Sequence, residues 1–413
     1  MKKITELTFF VLFLALTSCI FEKKTEISQW RGPDRDGIYP ETNLLTEWPE
    51  EGPELIWKFE GLGIGHATAS VTSDRLFTAG TLDSITYLFS IDLDGNLLWK
   101  KEIGPEWMIN FPGVRSTPLI IDDLGYFLNG LGKLFCFNIN NGDYLWTKDL
   151  FDDYDGKNIT WGITENLLFR GDTLFCTPGG VEANVVSLDR ITGETIWKSK
   201  GDGKTSSYSS PRIIEVKGKK FLLTFTSASI ISINIENGEL AWKYPILNDG
   251  DSHSNMSIFR NDSLFLLPGY KDTTIMVKVA EDGYSVKKIW DNVLLDVGLG
   301  DAVLIGDNLY SSANTKGILY SLDWKTGKEN YSEELVSKGR LKGSSIVSAE
   351  GLLYIYGFTG KFELKKPTEN GFQTLGSMQI GGNEMNHWAH PVIKDGRLYI
   401  RYDNTLWVYN IRK

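Results

Sequence analysis

The strongest constraint on the fold is a repeat of about 45 residues that runs through the sequence. Each copy combines an alternating apolar strand, a polar turn that contains glycine, and a second strand that carries tryptophan. Alternation with a period of two on either side of such a turn is typical of a β-hairpin. The clearest copies are "LFSIDLDGNLLW" ending at Trp99, "LFCFNINNGDYLW" at Trp146, "VVSLDRITGETIW" at Trp197 and "IISINIENGELAW" at Trp242.

Weaker copies extend the pattern to both ends of the chain and place Trp57, Trp290, Tyr331 and Leu375 at the tryptophan position. The last front half of a repeat, Arg397 to Ile411, has no tryptophan strand after it, and the first tryptophan strand, Glu54 to Glu60, has no front half before it. Joining the two completes an eighth blade and leaves the ring without an open edge. The sequence therefore predicts an all-β, eight-bladed β-propeller of four-stranded blades over residues 54–413, closed between its N- and C-terminal strands and monomeric.

The N-terminus predicts export. Lys2 and Lys3 precede an apolar run from Leu7 to Leu16 that is too short to cross a bilayer as a stable helix, as in a signal peptide over residues 1–18. The sequence "LTSC" that ends at Cys19 resembles a bacterial lipobox, which implies cleavage before Cys19 and lipid on its thiol and amine. The alternative is an ordinary signal peptide with a chance cysteine. We expect a lipid-anchored protein of the bacterial envelope, on the periplasmic side or the cell surface of the outer membrane.

Charge and cysteine content exclude several classes of protein. The net charge of −10 and the pI near 5.1 argue against a nucleic-acid-binding protein. After Cys19 only Cys136 and Cys176 remain, with no CxxC or CxxCH motif, so zinc-ribbon and c-type haem sites are not expected. The pair is open to two interpretations, a disulfide of an exported protein or two thiols buried in strands.

The units "SLDRITGETIW" (187–197) and "SLDWKTGKENY" (321–331) resemble the tryptophan-docking repeat of quinoprotein-type propellers. The resemblance implies that Trp57, Trp99, Trp146, Trp197, Trp242, Trp290 and Tyr331 pack between neighbouring blades. "WRGPDRDG" with "GPELIWKFEGLGIG" looks like the opening of secreted bacterial pyrroloquinoline-quinone-like propellers, and the outer-membrane assembly lipoprotein is similar in architecture. Dehydrogenases of this family carry adjacent cysteines, an Asp base and a Ca²⁺ site under the quinone, and this chain has no adjacent cysteine pair.

The start of each innermost strand is expected to face the central channel. Seven of these eight positions are polar, which indicates a hydrated ring; they are Thr68, Thr117, Asn166, Ser210, Met256, Asp301, Ser345 and His390. All four histidines fall nearby, and His66 in blade 1 is expected to approach His387 or His390 in blade 8. The spacing His387-x-x-His390 is not a zinc-binding spacing, so no metal site is predicted.

Long loops at 104–113, 151–162 and 244–255 enlarge the same face, where binding sites usually lie. Trp107, Trp161 and Trp388 either anchor these loops or stack on a ligand. The candidate ligand-binding residues at this mouth are His66, Arg115, Trp161, Glu165, His253, Asp301, Glu384, His387, Trp388 and His390.

Three functions remain open. The first is a non-enzymatic propeller lipoprotein that binds an envelope protein or a glycan and needs no cofactor. The second is a dehydrogenase of alcohols or sugars that uses pyrroloquinoline quinone and Ca²⁺, with His66, Arg115, Trp161, Asp301 and Trp388 as cofactor contacts. The third is a metal- or histidine-dependent hydrolase or lyase at the channel mouth.

The segment "SQWRGPDRDGIYPE" (28–41) lies between Cys19 and the first repeat strand, within an N-terminal segment of residues 19–53. Asp34 to Gly37 resembles half of a calcium loop, but the other ligands are absent and turn chemistry explains the same residues. We expect Trp30 to pack against the propeller, with Arg31 and Arg35 paired to acidic groups, so that the segment fastens the first strand into the eighth blade.

Overall fold

The computed structural model describes residues 25–246, 253–269, 273–335, 342–382 and 386–413, and it has eight antiparallel blades around a central channel. This confirms the predicted eight-bladed β-propeller. The predicted signal peptide and Cys19 lie outside the described residues. In the described part of the chain no helix is long and apolar enough to cross a membrane.

Three strands precede the first blade: β1 (Ile27–Ser28), β2 (Ile38–Tyr39) and β3 (Glu54–Glu60). Blade 1 comprises β4 (Ser70–Val71), β5 (Arg75–Leu82), β6 (Ile85–Asp92) and β7 (Leu97–Pro105). Blade 2 comprises β8 (Leu119–Ile121), β9 (Leu124–Leu128), β10 (Lys133–Asn138) and β11 (Tyr144–Asp149), followed by the short helix α1 (Leu150–Tyr154). Blade 3 comprises β12 (Leu168–Arg170), β13 (Thr173–Cys176), β14 (Val185–Asp189) and β15 (Thr195–Ser199). Blade 4 comprises β16 (Arg212–Val216), β17 (Lys219–Phe225), β18 (Ser229–Asn234) and β19 (Leu240–Pro245).

Blade 5 comprises β20 (Ile258–Arg260), β21 (Ser263–Leu266), β22 (Thr274–Val279) and β23 (Val286–Asn292). Blade 6 comprises β24 (Ala302–Ile305), β25 (Asn308–Ala313), β26 (Ile318–Asp323) and β27 (Glu329–Glu334). Blade 7 comprises β28 (Ser344–Ala349), β29 (Leu352–Gly357), β30 (Lys361–Pro367) and β31 (Phe372–Gln379). Blade 8 comprises β32 (Val392–Lys394), β33 (Arg397–Tyr402) and β34 (Thr405–Asn410), with β3 as its outermost strand.

The ring closes as the repeat predicted, because β3 pairs antiparallel with β34 from Glu54–Asn410 to Glu60–Thr405. In every blade the innermost strand starts at one face of the ring, here called the mouth face, and finishes at the other, the distal face. The second and third strands then run back and forth. The outermost strand therefore starts at the distal rim and leads up to the loops of the mouth face.

Tryptophan docking between blades follows the predicted pattern at five positions. The indole Nε1–H of Trp99 donates to the carbonyl of Ile139 in the next blade at 2.9 Å, and Trp57, Trp146, Trp197 and Trp290 make equivalent bonds of 2.9 to 3.1 Å. The turn beneath the ring requires glycine for two reasons: its backbone φ is positive, and there is no room for a side chain. At Gly193, where φ is 74°, a Cβ would lie 2.8 Å from the ring of Trp146.

Two of the predicted docking residues depart from this pattern. Trp242 is buried, but its Nε1 has no hydrogen-bond partner among the described residues. The next turn glycine, Gly283, lies against Phe221 instead. Tyr331 has no indole N–H and packs edge-on against Phe372, with ring centroids 4.9 Å apart.

Cys136 and Cys176 are free and fully buried in one apolar cluster of blades 2 and 3. This confirms the interpretation of both as buried strand residues. Burial raises the pKa of the Cys136 thiol to about 12 and that of Cys176 well above its ordinary value, so both remain protonated at neutral pH.

Candidate functional site

The N-terminal segment 25–41, here called the plug, crosses the central channel. Ile27 and Ser28 pair antiparallel with the end of β8 in blade 2, and Ile38 and Tyr39 pair parallel with the end of β28 in blade 7. Because both partners are the final residues of innermost strands, the plug lies in the channel from the distal face. The sequence led us to expect pairing that holds the first strand in the eighth blade, whereas the strands of the plug pair with blades 2 and 7 inside the channel; its role as a fastener stays a prediction.

Arg31 of the plug is almost completely buried and connects blades 6 and 8. Its Nη1 lies 3.5 Å from the carboxylate of Asp301 and 3.2 Å from Nδ1 of His390, while its Nη2 donates to the carbonyl of Ala302 at 2.9 Å. The ring of Trp30 packs edge-on against His390, with centroids 5.1 Å apart. The predicted pairing of Arg31 with an acidic group is thus observed, and its partner is one of the candidate ligand residues.

Arg35 reaches blade 3, and it forms no direct ion pair with another described residue. It donates to the carbonyls of Leu167 and Asn166 at 2.7 and 2.8 Å, so the expectation of a carboxylate partner is corrected to two backbone oxygens. Glu165 is buried nearby and accepts hydrogen bonds from the N–H and hydroxyl of Thr177 through Oε2, while its Oε1 has no partner among the described residues. Burial raises the pKa of Glu165 to about 7, although the Thr177 bonds and the charge of Arg35 oppose that shift.

The polar positions at the start of the innermost strands bond neighbouring blades to each other. The N–H of Thr68 donates to Oγ1 of Thr117 at 3.1 Å, and the N–H of Thr117 donates to Oδ1 of Asn166 at 2.8 Å. The N–H of Asn166 in turn donates to Oγ of Ser210 at 2.9 Å. Each of these side chains thus accepts a hydrogen bond from a backbone N–H of the preceding blade, which gives it a structural role.

The same arrangement recurs between blades 5 and 6, where the N–H of Met256 donates to Oδ1 of Asp301 at 2.5 Å. Between blades 8 and 1, the hydroxyl of Thr68 donates to the carbonyl of His390 at 2.7 Å. The ring predicted to face water is therefore largely a belt of hydrogen bonds between blades, with the plug beneath it.

A second layer of side chains lies on the mouth side of this belt, two positions earlier in the chain. His66, Arg115, Tyr208 and Trp388 stand two positions before Thr68, Thr117, Ser210 and His390. The ring of Trp388 lies 4.8 Å from that of His66 and 5.2 Å from that of Phe111, measured between centroids. Trp388 is therefore covered on two sides by other aromatic rings.

Arg115 braces the loop that carries Phe111. Its guanidinium donates to the carbonyls of Gly113, Asn110 and Phe111 at 3.0, 2.9 and 2.5 Å. Trp107 anchors the start of the loop, since its Nε1–H donates to the carbonyl of Asn110 at 3.1 Å. Between these anchors, Ile109 is 75% exposed and Phe111 is 47% exposed.

Trp161 extends the aromatic layer towards blade 4. Its ring lies 5.2 Å from that of Tyr208, and its backbone N–H donates to the Tyr208 hydroxyl at 3.1 Å. Sequence reasoning missed Tyr208 and Phe111. The register of His66, Arg115 and Trp388 contained the signal for Tyr208, because all four stand two residues before a belt position.

The four histidines do not form one cluster. His387 lies between blades 7 and 8, where its ring stacks on Tyr402 at 3.6 Å and its Nδ1 is 2.6 Å from the Tyr356 hydroxyl. His253 is buried against Phe225, with Nδ1 3.0 Å from the carbonyl of Pro268. His66 lies at the mouth in contact with Trp388, and His387 is near enough to help lower its pKa, in keeping with the predicted approach of His66 to blade 8. Glu384 lies outside the described residues.

Burial keeps three of these histidines neutral. It lowers the pKa of His66 to about 3, with help from Arg115 and Arg401, and that of His387 to about 4. It also lowers the pKa of His390 well below its ordinary value, reinforced by Arg31. Imidazoles with such low pKa values are weak general bases near pH 7.

The residues of the channel fit a quinone with Ca²⁺ poorly. Ca²⁺ requires six to eight oxygen ligands, commonly with several carboxylates. Asp301 is paired with the cation of Arg31, and no group of three or more His, Cys, Asp or Glu in the described ranges is arranged to hold a metal. Trp388, the candidate stacking platform, is covered by His66 and Phe111.

Comparison with known proteins identifies a family, and the relatives include both assembly factors and dehydrogenases. Residues 87–333, more than half of the chain, match the family described as outer membrane protein assembly factor BamB. The chain is 28% identical over 159 residues to quinoprotein alcohol dehydrogenase PedH of Pseudomonas putida, a match that covers 35% of this chain and 26% of PedH. It is 28% identical over 111 residues to BamB of Kangiella koreensis, covering 26% and 25% of the two chains. The chain thus spans about a quarter of the length of these two curated relatives.

Among solved structures, BamB from Moraxella catarrhalis superposes with a TM-score of 0.61 and 12% sequence identity, over 87% of this chain and 99% of that chain. At that identity the likeness shows the fold alone. The family match over residues 87–333 covers more than half of the chain and includes the docking repeats seen in the structure. The chain therefore belongs to the BamB family of β-propellers built from pyrroloquinoline-quinone-type repeats.

Proposed function

We propose that this chain is a non-enzymatic binding module of the bacterial envelope, anchored by lipid at Cys19, that holds a partner protein against its mouth face. The observation that carries the proposal is the exposed apolar tip of the loop 107–113, whose carbonyls are bonded by Arg115 and Trp107. Large apolar side chains exposed on a braced loop are a common feature of protein-binding sites.

Hydrogen bonds already fix the backbone of the loop before a partner binds. Arg115 fixes three of its carbonyls and Trp107 fixes its start, so Ile109 and Phe111 project from a defined backbone. A preorganised loop loses less conformational entropy on association than a mobile loop does. Phe111 and Ile109, both exposed, would form the apolar centre of such an interface.

The same contacts favour a protein partner over a glycan. A sugar ring stacks on an accessible aromatic face, whereas Trp388 packs on His66 and Phe111, and Trp161 packs on Tyr208. Ile109 offers an aliphatic surface, which suits an apolar side chain of a protein better than a hydroxyl-rich ligand. The family description as an outer membrane protein assembly factor supports an envelope location and a protein partner.

Site-specific photocrosslinking in cells tests the proposal. A photoreactive residue at Ile109 should give one discrete protein adduct, and the same residue at Val293 should give none. Val293 is the matched control because it is 74% exposed and follows β23 in blade 5, across the ring from the loop 107–113 between blades 1 and 2. Adducts of equal yield at both positions, or at Val293 alone, would contradict the proposed binding loop.

The dehydrogenase alternative has its own assay. The purified chain is incubated with pyrroloquinoline quinone and Ca²⁺ and assayed for dye-linked oxidation of alcohols and sugars. We expect neither quinone binding at high micromolar concentration nor oxidation, because Arg31 occupies the Asp301 carboxylate. Stoichiometric quinone binding with substrate-dependent dye reduction would replace the binding-module proposal.

A further inference from the structure

The distal rim of the ring carries a row of exposed apolar side chains on six adjacent blades. They lie one or two residues before the docking tryptophan on the outermost strands of blades 8, 1, 2, 3, 4 and 5. This row, here called the apolar arc, consists of Leu55, Ile56, Leu97, Leu98, Leu145, Ile196, Leu240 and Ile289.

The fold does not require the apolar arc, because two other blades carry polar residues at the equivalent position. Leu97 and Leu98 are each 47% exposed and Ile196 is 54% exposed, whereas blades 6 and 7 place Asn330 and Thr374 at the equivalent position before the docking residue. An outermost strand with exposed apolar side chains invites association along its free edge, and proteins normally avoid it with charged residues. Exposed apolar side chains at matching positions of six adjacent blades therefore indicate a surface that is covered in the cell.

The N-terminal segment leaves the ring beside this arc. Glu26 is held at the distal face between blades 1 and 2. Its N–H donates to Oδ1 of Asp122 at 3.0 Å, its carbonyl accepts from the N–H of Asp122 at 2.8 Å, and its carboxylate accepts from Ser73 at 2.6 Å. Six residues lie between Cys19 and Glu26, so the Cα atoms of these two residues can be about 25 Å apart at most.

From these observations we infer that the distal face rests on a lipid surface through the apolar arc, with the mouth face turned away from the membrane. The inference relies on the lipid anchor at Cys19 that forms part of the proposed function. A lipid at Cys19 holds blades 1 and 2 close to the bilayer, and these blades lie within the arc. The side chains of the arc enter the interface between headgroups and acyl chains.

The charges around the arc define which lipids it binds. Exposed lysines stand two residues after the arc in several blades, as Lys58, Lys100 and Lys198 do, on the same side of the strand and farther from the distal rim. In the structure their ammonium groups contact Glu60, Tyr87 and Tyr154, respectively, so they add little free positive charge to the arc. Glu54, Glu194 and Glu239 flank the arc at the preceding turns, so the charge is mixed and binding should not require anionic lipid.

Fluorescence quenching in vesicles of phosphatidylcholine tests the orientation. Fluorophores are attached to single cysteines in the lipidated full chain, as Leu98→Cys and Ile196→Cys in the arc, Asn330→Cys in blade 6 and Ile109→Cys at the mouth. A quencher carried by the lipid should reduce emission at positions 98 and 196 at least threefold more than at 330 and 109. Equal quenching at all four positions, or the strongest quenching at 109, would overturn the inference.

A second measurement separates the arc from the anchor. The full chain with Cys19→Ala cannot be lipidated, and its partition onto the same vesicles reports the arc alone. We expect Leu97→Ser with Leu98→Ser to lower this partition at least fivefold, Asn330→Ser to leave it unchanged, and added anionic lipid to change it less than twofold.

If the wild-type chain proves not to be lipidated, the proposed anchor fails and the partition of the Cys19→Ala chain decides the inference by itself. A partition that is absent, or that is insensitive to the serine variants while thermal unfolding confirms folding, would overturn it. A dimer in solution that the same serine variants dissociate would also overturn it, since the arc would then bind a second copy of the chain.

Discussion

The channel and the mouth lie one above the other, yet they use their polar and aromatic groups in opposite ways. In the channel, Asp301, His390 and Asn166 are bonded to the plug or to a neighbouring blade, and little of their surface is left for a ligand. At the mouth, Ile109 and Phe111 are exposed although the loop beneath them is fixed. The comparison shows that polar residues on the axis of a propeller can be structural, while the binding surface is offered by loops.

The largest effect is expected from Arg31→Ala in the channel. The change leaves the buried carboxylate of Asp301 without its cation and should lower the free energy of unfolding by about 3–5 kcal/mol. Urea denaturation measures it. Arg75→Ala is the matched control, because Arg75 pairs with Asp74 at the surface and should cost less than about 1 kcal/mol. Equal losses for the two variants would show that the plug contributes little to stability.

The next effect is a pH dependence that originates at Glu165. Burial raises the pKa of Glu165 to about 7 in the folded state, so the folded protein favours the neutral carboxyl. This contribution to the free energy of unfolding is fully present below about pH 4.5 and is lost as the pH rises through 7. Glu165→Gln removes this titration. The variant should therefore gain about 2–3 kcal/mol relative to wild type between pH 4.5 and pH 8 in urea denaturation. Parallel pH profiles would mean that Arg35 already holds Glu165 ionised.

A smaller effect on stability is expected where the mouth loop is braced. Arg115→Ala removes three hydrogen bonds to the loop carbonyls and should lower the free energy of unfolding by about 1–2 kcal/mol, while the crosslink at position 109 falls several-fold. Arg115→Lys should recover part of the stability but not the crosslink, because a single ammonium cannot reproduce the planar arrangement of donors. Full crosslinking in Arg115→Ala would show that the loop needs no brace.

The smallest stability change is expected at the exposed tip itself. Ile109→Ser should alter the free energy of unfolding by less than about 0.5 kcal/mol, because the side chain is largely in water already. Measured by co-purification with the crosslinked partner, binding should nevertheless fall at least tenfold. Retained binding in Ile109→Ser together with lost binding in Arg31→Ala would move the binding site from the mouth to the channel.

The repeats made the fold predictable. Docking tryptophans and turn glycines recur in the sequence because each blade must fit the next one, so Trp99, Trp146 and Trp197 could be assigned from spacing alone. The site was harder to predict. His387 and His390 are close in sequence, but alternate side chains of an extended segment point in different directions, so one packs between blades and the other faces Arg31.

The sequence by itself determined the number of blades, the strands that close the ring and the positions of the docking residues, since all of these follow from local patterns repeated at a fixed interval. Only the tertiary structure decided where "WRGPDRDG" lies. Its partners are more than a hundred residues away, with Arg35 on the carbonyls of Asn166 and Leu167 and Arg31 beside Asp301 and His390. Contacts that depend on ring closure leave no periodic signal along the chain, and they are the contacts that separate the filled channel from the exposed mouth.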